Sequence, residues 1–145
     1  MIEKVQESHL YMWLKEKDSK FLSKLDETIE YANTILPQIN NVFASYTVHG
    51  VRHSINVMEY MYALVVDINK LSELEVALLI YSALLHDIGM IANVDEIKEI
   101  KADQAILGER KYSKVLEKYG DEMKALQECV RQVHGKSARD YIETK

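Results

Sequence analysis

His86 and Asp87 stand side by side at the end of an apolar run, residues 76–85, and their chemistry is that of metal ligation. The run is apolar around nearly its whole circumference, so it predicts a helix buried on all sides, with Gly89 as its stop. A carboxylate at that end faces the negative pole of the helix dipole and loses hydration, and both effects are unfavourable. It needs a positive neighbour, and with an imidazole beside it a divalent metal ion fits. His53 is the next candidate donor. Steps of about 100° per residue place Val57, Tyr60, Leu64 and Ile68 near its face. Arg52, Asn56, Glu59 and Asp67 form the polar strip, so His53 is expected to face inward near the start of its helix. His134 shares a stripe with Leu126 and Val130 and is also expected to point at the core. Helical bundles commonly assemble metal ligands from facing helices in this way.

The elements that must position these residues are helices. With one proline and five glycines in 145 residues, strand signals are scarce and the chain reads as all-α, a bundle of about six helices. A first amphipathic helix covers residues 3–16, with Leu10, Trp13 and Leu14 apolar. Asp18 or Ser19 caps a second helix, carrying Phe21, Leu22, Leu25, Ile29, Ala32 and Ile35, that breaks near Pro37. Residues 44–50 form a loop, and a third helix runs over residues 51–69. Ser72 and Glu75 form a capping box for the fourth. One or two helices lie within residues 92–120, with a loop around Gly108; Asp121 opens a last helical region through His134, which Gly135 interrupts. Residues 1–45 are read as an N-terminal helical extension packed on a core of residues 46–145.

Composition narrows the function classes. The single cysteine, Cys129, excludes an intramolecular disulfide, and no signal peptide or membrane-length apolar stretch is read, so a cytoplasmic setting without a membrane is expected. A net charge of −5 argues against nucleic acid as the main partner. Each histidine also has a bland reading. A lone inward histidine is more often a hydrogen-bonded core residue than a ligand, His9 sits among polar residues, and His49 is a loop residue four before His53. Arg52 reads as a solvated surface charge. The combination of an inward His53 with His86 and Asp87 after an apolar helix raises the metal reading above these.

Arg52-His53-Ser54 with Val57, followed 33 residues after His53 by His86 within Ala83-Leu84-Leu85-His86-Asp87-Ile88-Gly89-Met90, resembles the first two signature blocks of the HD-domain metal-dependent phosphohydrolases. The wider phrase Tyr46-Thr47-Val48-His49-Gly50-Val51-Arg52-His53-Ser54 is similar to a subgroup fused to ATPase modules of the chaperone and histidine-kinase type.

The resemblance implies an HD-domain fold and a metal-activated water acting on a phosphate ester or nucleotide-type substrate. It implies His53, His86 and Asp87 as ligands, Asp87 able to bridge two ions, and His134 as the histidine serving a second ion. His49 falls where some members carry a further ligand or a catalytic side chain, so Asp87 and His49 are the candidate catalytic residues. Arg52, Lys136 and Arg139 are candidates for contacting a substrate phosphate. One or two ions of manganese, iron, magnesium, zinc, nickel or cobalt suit imidazole and carboxylate donors. The implied partners are a small phosphorylated substrate and a fused or associated ATPase module. The family's separate distal aspartate has no counterpart here, since Asp121 precedes His134 and Asp140 follows it by only six positions. The expectation is that this ligand lies beyond Lys145, and the alternative is a catalytically weak HD module serving as a sensory or docking domain.

Overall fold

A computed structural model describes residues 4–44, 50–104 and 111–144. These residues are all-α, with no strand among them, as the sequence predicts. Eight α-helices occur among them: α1 (His9–Glu16), α2 (Leu22–Ile35), the single turn α3 (Asn40–Phe43), α4 (Val51–Leu64), α5 (Glu73–Leu85), α6 (Val94–Lys101), α7 (Tyr112–Tyr119) and α8 (Glu122–Glu143). The chain divides into two compact units, one of residues 1–36 and 48–86, the other of residues 37–47 and 87–145. No single helix among the described residues is long and apolar enough to cross a membrane.

In the first unit, α1 and α2 pack on α5, and α1 also packs on α4. Its core is built from Leu10, Leu14, Leu25, Ile29, Met58, Val76, Ile80 and Leu84, all essentially buried. Ser8 caps α1 by accepting from the Tyr11 N–H, which shortens the expected helix by one turn of 3-10 geometry. The expected Asp18 or Ser19 cap is not the N-cap of α2. Asp18 takes a left-handed conformation, and α2 begins three residues after Ser19, behind Phe21. The break near Pro37 is present as a 3-10 turn, Leu36–Ile39. The capping box of α5 is present: the Ser72 hydroxyl accepts from the Glu75 N–H at 3.3 Å, and the Glu75 carboxylate accepts from the Ser72 N–H at 2.7 Å. Those bonds to Ser72 hold the Glu75 carboxyl below its ordinary range.

Two expectations fail here for instructive reasons. The third helix ends at Leu64, five residues early, because the chain turns extended at Val65 and Asp67 caps a separate 3-10 turn by accepting from the Asn69 N–H. The buried residues of α4 are Ser54, Ile55 and Met58, whereas Tyr60 and Leu64 are 72% and 82% exposed. The apolar run of α5 is not buried on all sides either, since Leu78 stands half exposed.

In the second unit, α8 is the central element. The turn Ile88–Met90, α3, α6 and α7 all pack against it, burying Val42, Phe43, Ile88, Val115, Ala125, Leu126, Cys129 and Val130. The Gln127 amide donates to the Val42 carbonyl at 3.0 Å, a buried polar bond that ties α3 to α8. Gly120, at φ 64°, closes α7 in the left-handed conformation that glycine adopts without steric penalty. Asp121 then caps α8, accepting from the Lys124 N–H at 2.8 Å. The expected interruption at Gly135 is absent, and α8 is one continuous helix of 22 residues. The loop expected around Gly108 lies outside the described residues.

Candidate metal centre

His53 occupies the first turn of α4, and His86 is the residue that caps the C-terminus of α5. Gly50 starts α4 without a side-chain cap, and its carbonyl accepts from the His53 N–H at 2.8 Å. At the other element the His86 N–H closes the last turn of α5 onto the Ser82 carbonyl at 3.0 Å. The two imidazoles meet with their Nε2 atoms 3.2 Å apart, ring centroids 5.2 Å apart and planes tilted by 48°.

The His86 ring is held from behind. Its Nδ1–H donates to the Ala83 carbonyl at 2.9 Å, one of the carbonyls that the end of a helix leaves without an intrahelical partner. A proton committed to Nδ1 leaves the lone pair on Nε2, which is the atom facing His53. Metal-ligating histidines are oriented by this type of bond. The separation also fits. Two nitrogens at about 2.0–2.1 Å from one ion and 3.2 Å from each other subtend an angle of about 100°, between the octahedral and tetrahedral values.

Asp87 follows His86 through one peptide bond and starts the 3-10 turn Ile88–Met90, its carbonyl accepting from the Met90 N–H at 2.9 Å. It is half-buried, and His86 itself is exposed, so the loss of hydration expected at this helix end is only partial. His53, His86 and Asp87 form a group of donors, among the described residues, of a kind that holds a metal ion. The dipole argument survives, since Asp87 still follows the negative end of α5.

The remaining candidates are placed as follows. His49 lies outside the described residues. His134 is exposed on α8 rather than inward, and its Nδ1–H donates to the Arg131 carbonyl at 2.6 Å, the same backward bond that His86 makes. Arg52 and Lys136 are exposed. Arg139 is exposed as well, with its Nε 3.8 Å from Asp140 and 4.0 Å from Glu143. His9 makes an exposed ion pair with Glu59 and stacks on Tyr62 at 4.7 Å, pinning α1 to α4.

Sequence reasoning missed the role of Gly89. It does not end a helix, because α5 has already stopped at Leu85, and it is not in the left-handed conformation. A Cβ at Gly89 would lie 1.7 Å from the His134 carbonyl oxygen and 2.8 Å from the Ala138 nitrogen. The absent side chain lets the turn after Asp87 rest directly on the α8 backbone. Nothing in a single sequence distinguishes this glycine from a helix stop.

A helical protein with paired imidazoles followed by an aspartate is the class that this fold and these donors define. The HD-CE family model matches residues 43–145, and the chain belongs to that family. No curated protein matches the chain. No solved structure matches it.

Proposed function

We propose that the chain is a metal-dependent phosphohydrolase acting on a phosphate ester or nucleotide-type substrate, with His53, His86 and Asp87 holding a divalent ion. The observation that carries this reading is the 3.2 Å separation of the two Nε2 atoms, with the His86 Nδ1–H already committed to Ala83. Membership of the HD-CE family supports it. When bound, such an ion lowers the pKa of water and offsets charge on phosphoryl oxygens. The chain's own part is to orient the imidazoles through the cap of α5 and to supply the Asp87 carboxylate. In this reading His134 serves a second ion and His49 is a further ligand or catalytic side chain. Arg52, Lys136 and Arg139 are cations available to a substrate phosphate. The phrase Tyr46–Ser54 supports association with an ATPase module.

A second reading, an HD module that binds metal but serves as a sensory or docking domain, is favoured by the donor group of His53, His86 and Asp87, which among the described residues contains a single carboxylate. One experiment separates the two. The chain is loaded with manganese, its metal content is measured, and hydrolysis of a generic phosphodiester and a nucleotide panel is followed, with Asp87→Ala as control. Metal-dependent turnover lost in Asp87→Ala supports the enzyme. Stoichiometric metal without turnover supports the docking module, and neither metal nor turnover removes the metal reading altogether.

A further inference from the structure

The second unit contains a groove of about 420 Å³ between α6 and α8 that the metal reading does not use. Ile100, Val130 and Val133 form its floor, and Glu96, Glu99 and Asp140 stand on its rim. Among the described residues that line it, none is basic. Lys98 and Lys101, on α6 itself, are engaged elsewhere, with Asp95 at 3.2 Å and Glu122 at 3.2 Å. The three rim carboxylates differ in availability. Glu96 accepts from the Asn93 N–H in the capping box of α6, Asp140 has the Arg139 guanidinium 3.8 Å away, and Glu99 makes no side-chain ion pair among the described residues. Such a rim repels a phosphate, so the groove is unsuited to the substrate class proposed above. An apolar floor beneath three carboxylates, of which Glu99 makes no side-chain ion pair among the described residues, favours a ligand with the opposite pattern.

We propose that this groove docks a basic peptide segment, with large apolar side chains from one helical face on the floor and flanking lysines or arginines against Glu99 and Asp140. The floor supplies area, and the rim supplies direction and on-rate. A helical segment with its anchors at i and i+4 has the periodicity for this mode of recognition.

The test is fluorescence anisotropy on the full chain with a labelled helix-forming peptide that carries leucines at i, i+4 and i+7 and lysines elsewhere. The peptide is expected to bind, and its affinity to fall as salt rises. Replacing its lysines with glutamates, or its leucines with alanines, should lower affinity at least tenfold. Glu99→Gln combined with Asp140→Asn should lower it at least fivefold. The control pair Glu16→Gln and Glu30→Gln, exposed acids in the other unit, should leave it unchanged. Circular dichroism confirms that every variant retains the wild-type helical signal. Equal losses in both pairs would mean attraction to net charge alone and would overturn the proposal. Complete displacement by spermine at matched concentration would assign the groove to a small polyamine, and self-association of the chain abolished by the Glu99 and Asp140 changes would assign it to a second copy. Either result overturns the peptide.

Discussion

His53 and His86 face each other through their Nε2 atoms at 3.2 Å, while His86 is anchored through Nδ1 to the helix that ends at it. One imidazole therefore keeps a fixed orientation with or without an ion. The other rides on the first turn of α4. Titration calorimetry with zinc or manganese is expected to show binding that His53→Ala, His86→Ala and Asp87→Ala each weaken at least tenfold. An ion at about 100 times its Kd should raise stability by about 2.7 kcal/mol in the wild type. At the same ion concentration that gain should fall to about 1.4 kcal/mol or less in His86→Ala, whose metal-free fold should be nearly unaffected because the side chain is exposed. A metal-induced rise in Tm that survives all three substitutions undiminished would place the ion elsewhere.

Two glycines on either side of His134 predict opposite outcomes. Gly89→Ala drives a methyl into the His134 carbonyl and should cost roughly 2–3 kcal/mol, because backbone on both sides must move. Gly135→Ala meets nothing within 4 Å and lies inside α8, so it should stabilise by about 0.5–1 kcal/mol through helix propensity. Urea unfolding of the two variants beside the wild type checks both signs at once.

The capping box of α5 predicts a pH-dependent loss. Ser72→Ala should cost about 1 kcal/mol at neutral pH. The Glu75 carboxyl is held below its ordinary range by its bonds to Ser72, so its folded pKa lies below its unfolded pKa. Its contribution is present above the unfolded value and is lost as pH falls through the folded one. The stability difference between wild type and Glu75→Ala should therefore shrink on acidification. A difference constant down to pH 2 would contradict this.

Tyr11 predicts the alkaline behaviour. Its hydroxyl donates to Asp26 at 2.8 Å, and burial, with Asp26 adding to it, pushes the phenol up to about 12. The folded pKa lies above the unfolded value near 10, so this contribution is present below pH 10 and is lost as pH rises through about 12. Burial also raises Tyr112, so ultraviolet titration should show a late-ionising phase that Tyr11→Phe reduces by one tyrosine without abolishing it.

What the sequence made legible were features written in adjacent residues. The Ser72–Glu75 box, the Asp121 cap and the break at Pro37 depend on short-range chemistry, and all are present. Features set by tertiary packing were not legible. Tyr60 and Leu64 extended the apolar stripe of α4 on paper, yet both are exposed and the helix stops at Leu64. Leu126, Val130 and His134 looked like one stripe, but each step of four residues turns a helix by about 40° beyond a full circle. Two such steps carry His134 some 80° away from Leu126, enough to expose it. Of the candidate donors, His53 and His86 are brought together, while the accommodation of Gly89 by the α8 backbone needed coordinates to be seen.

That accommodation has a mechanical side. Gly89 rests on α8 at His134, near the middle of an unbroken helix, and so acts as a fulcrum. From His134 to Glu143 the helix extends about 14 Å as a rigid arm. A tilt of about 5° at the fulcrum swings the far end by roughly 1 Å, the scale on which a salt bridge is made or lost. The arm carries Asp140 on the rim of the groove, and Gly89, at the fulcrum, lines the same groove.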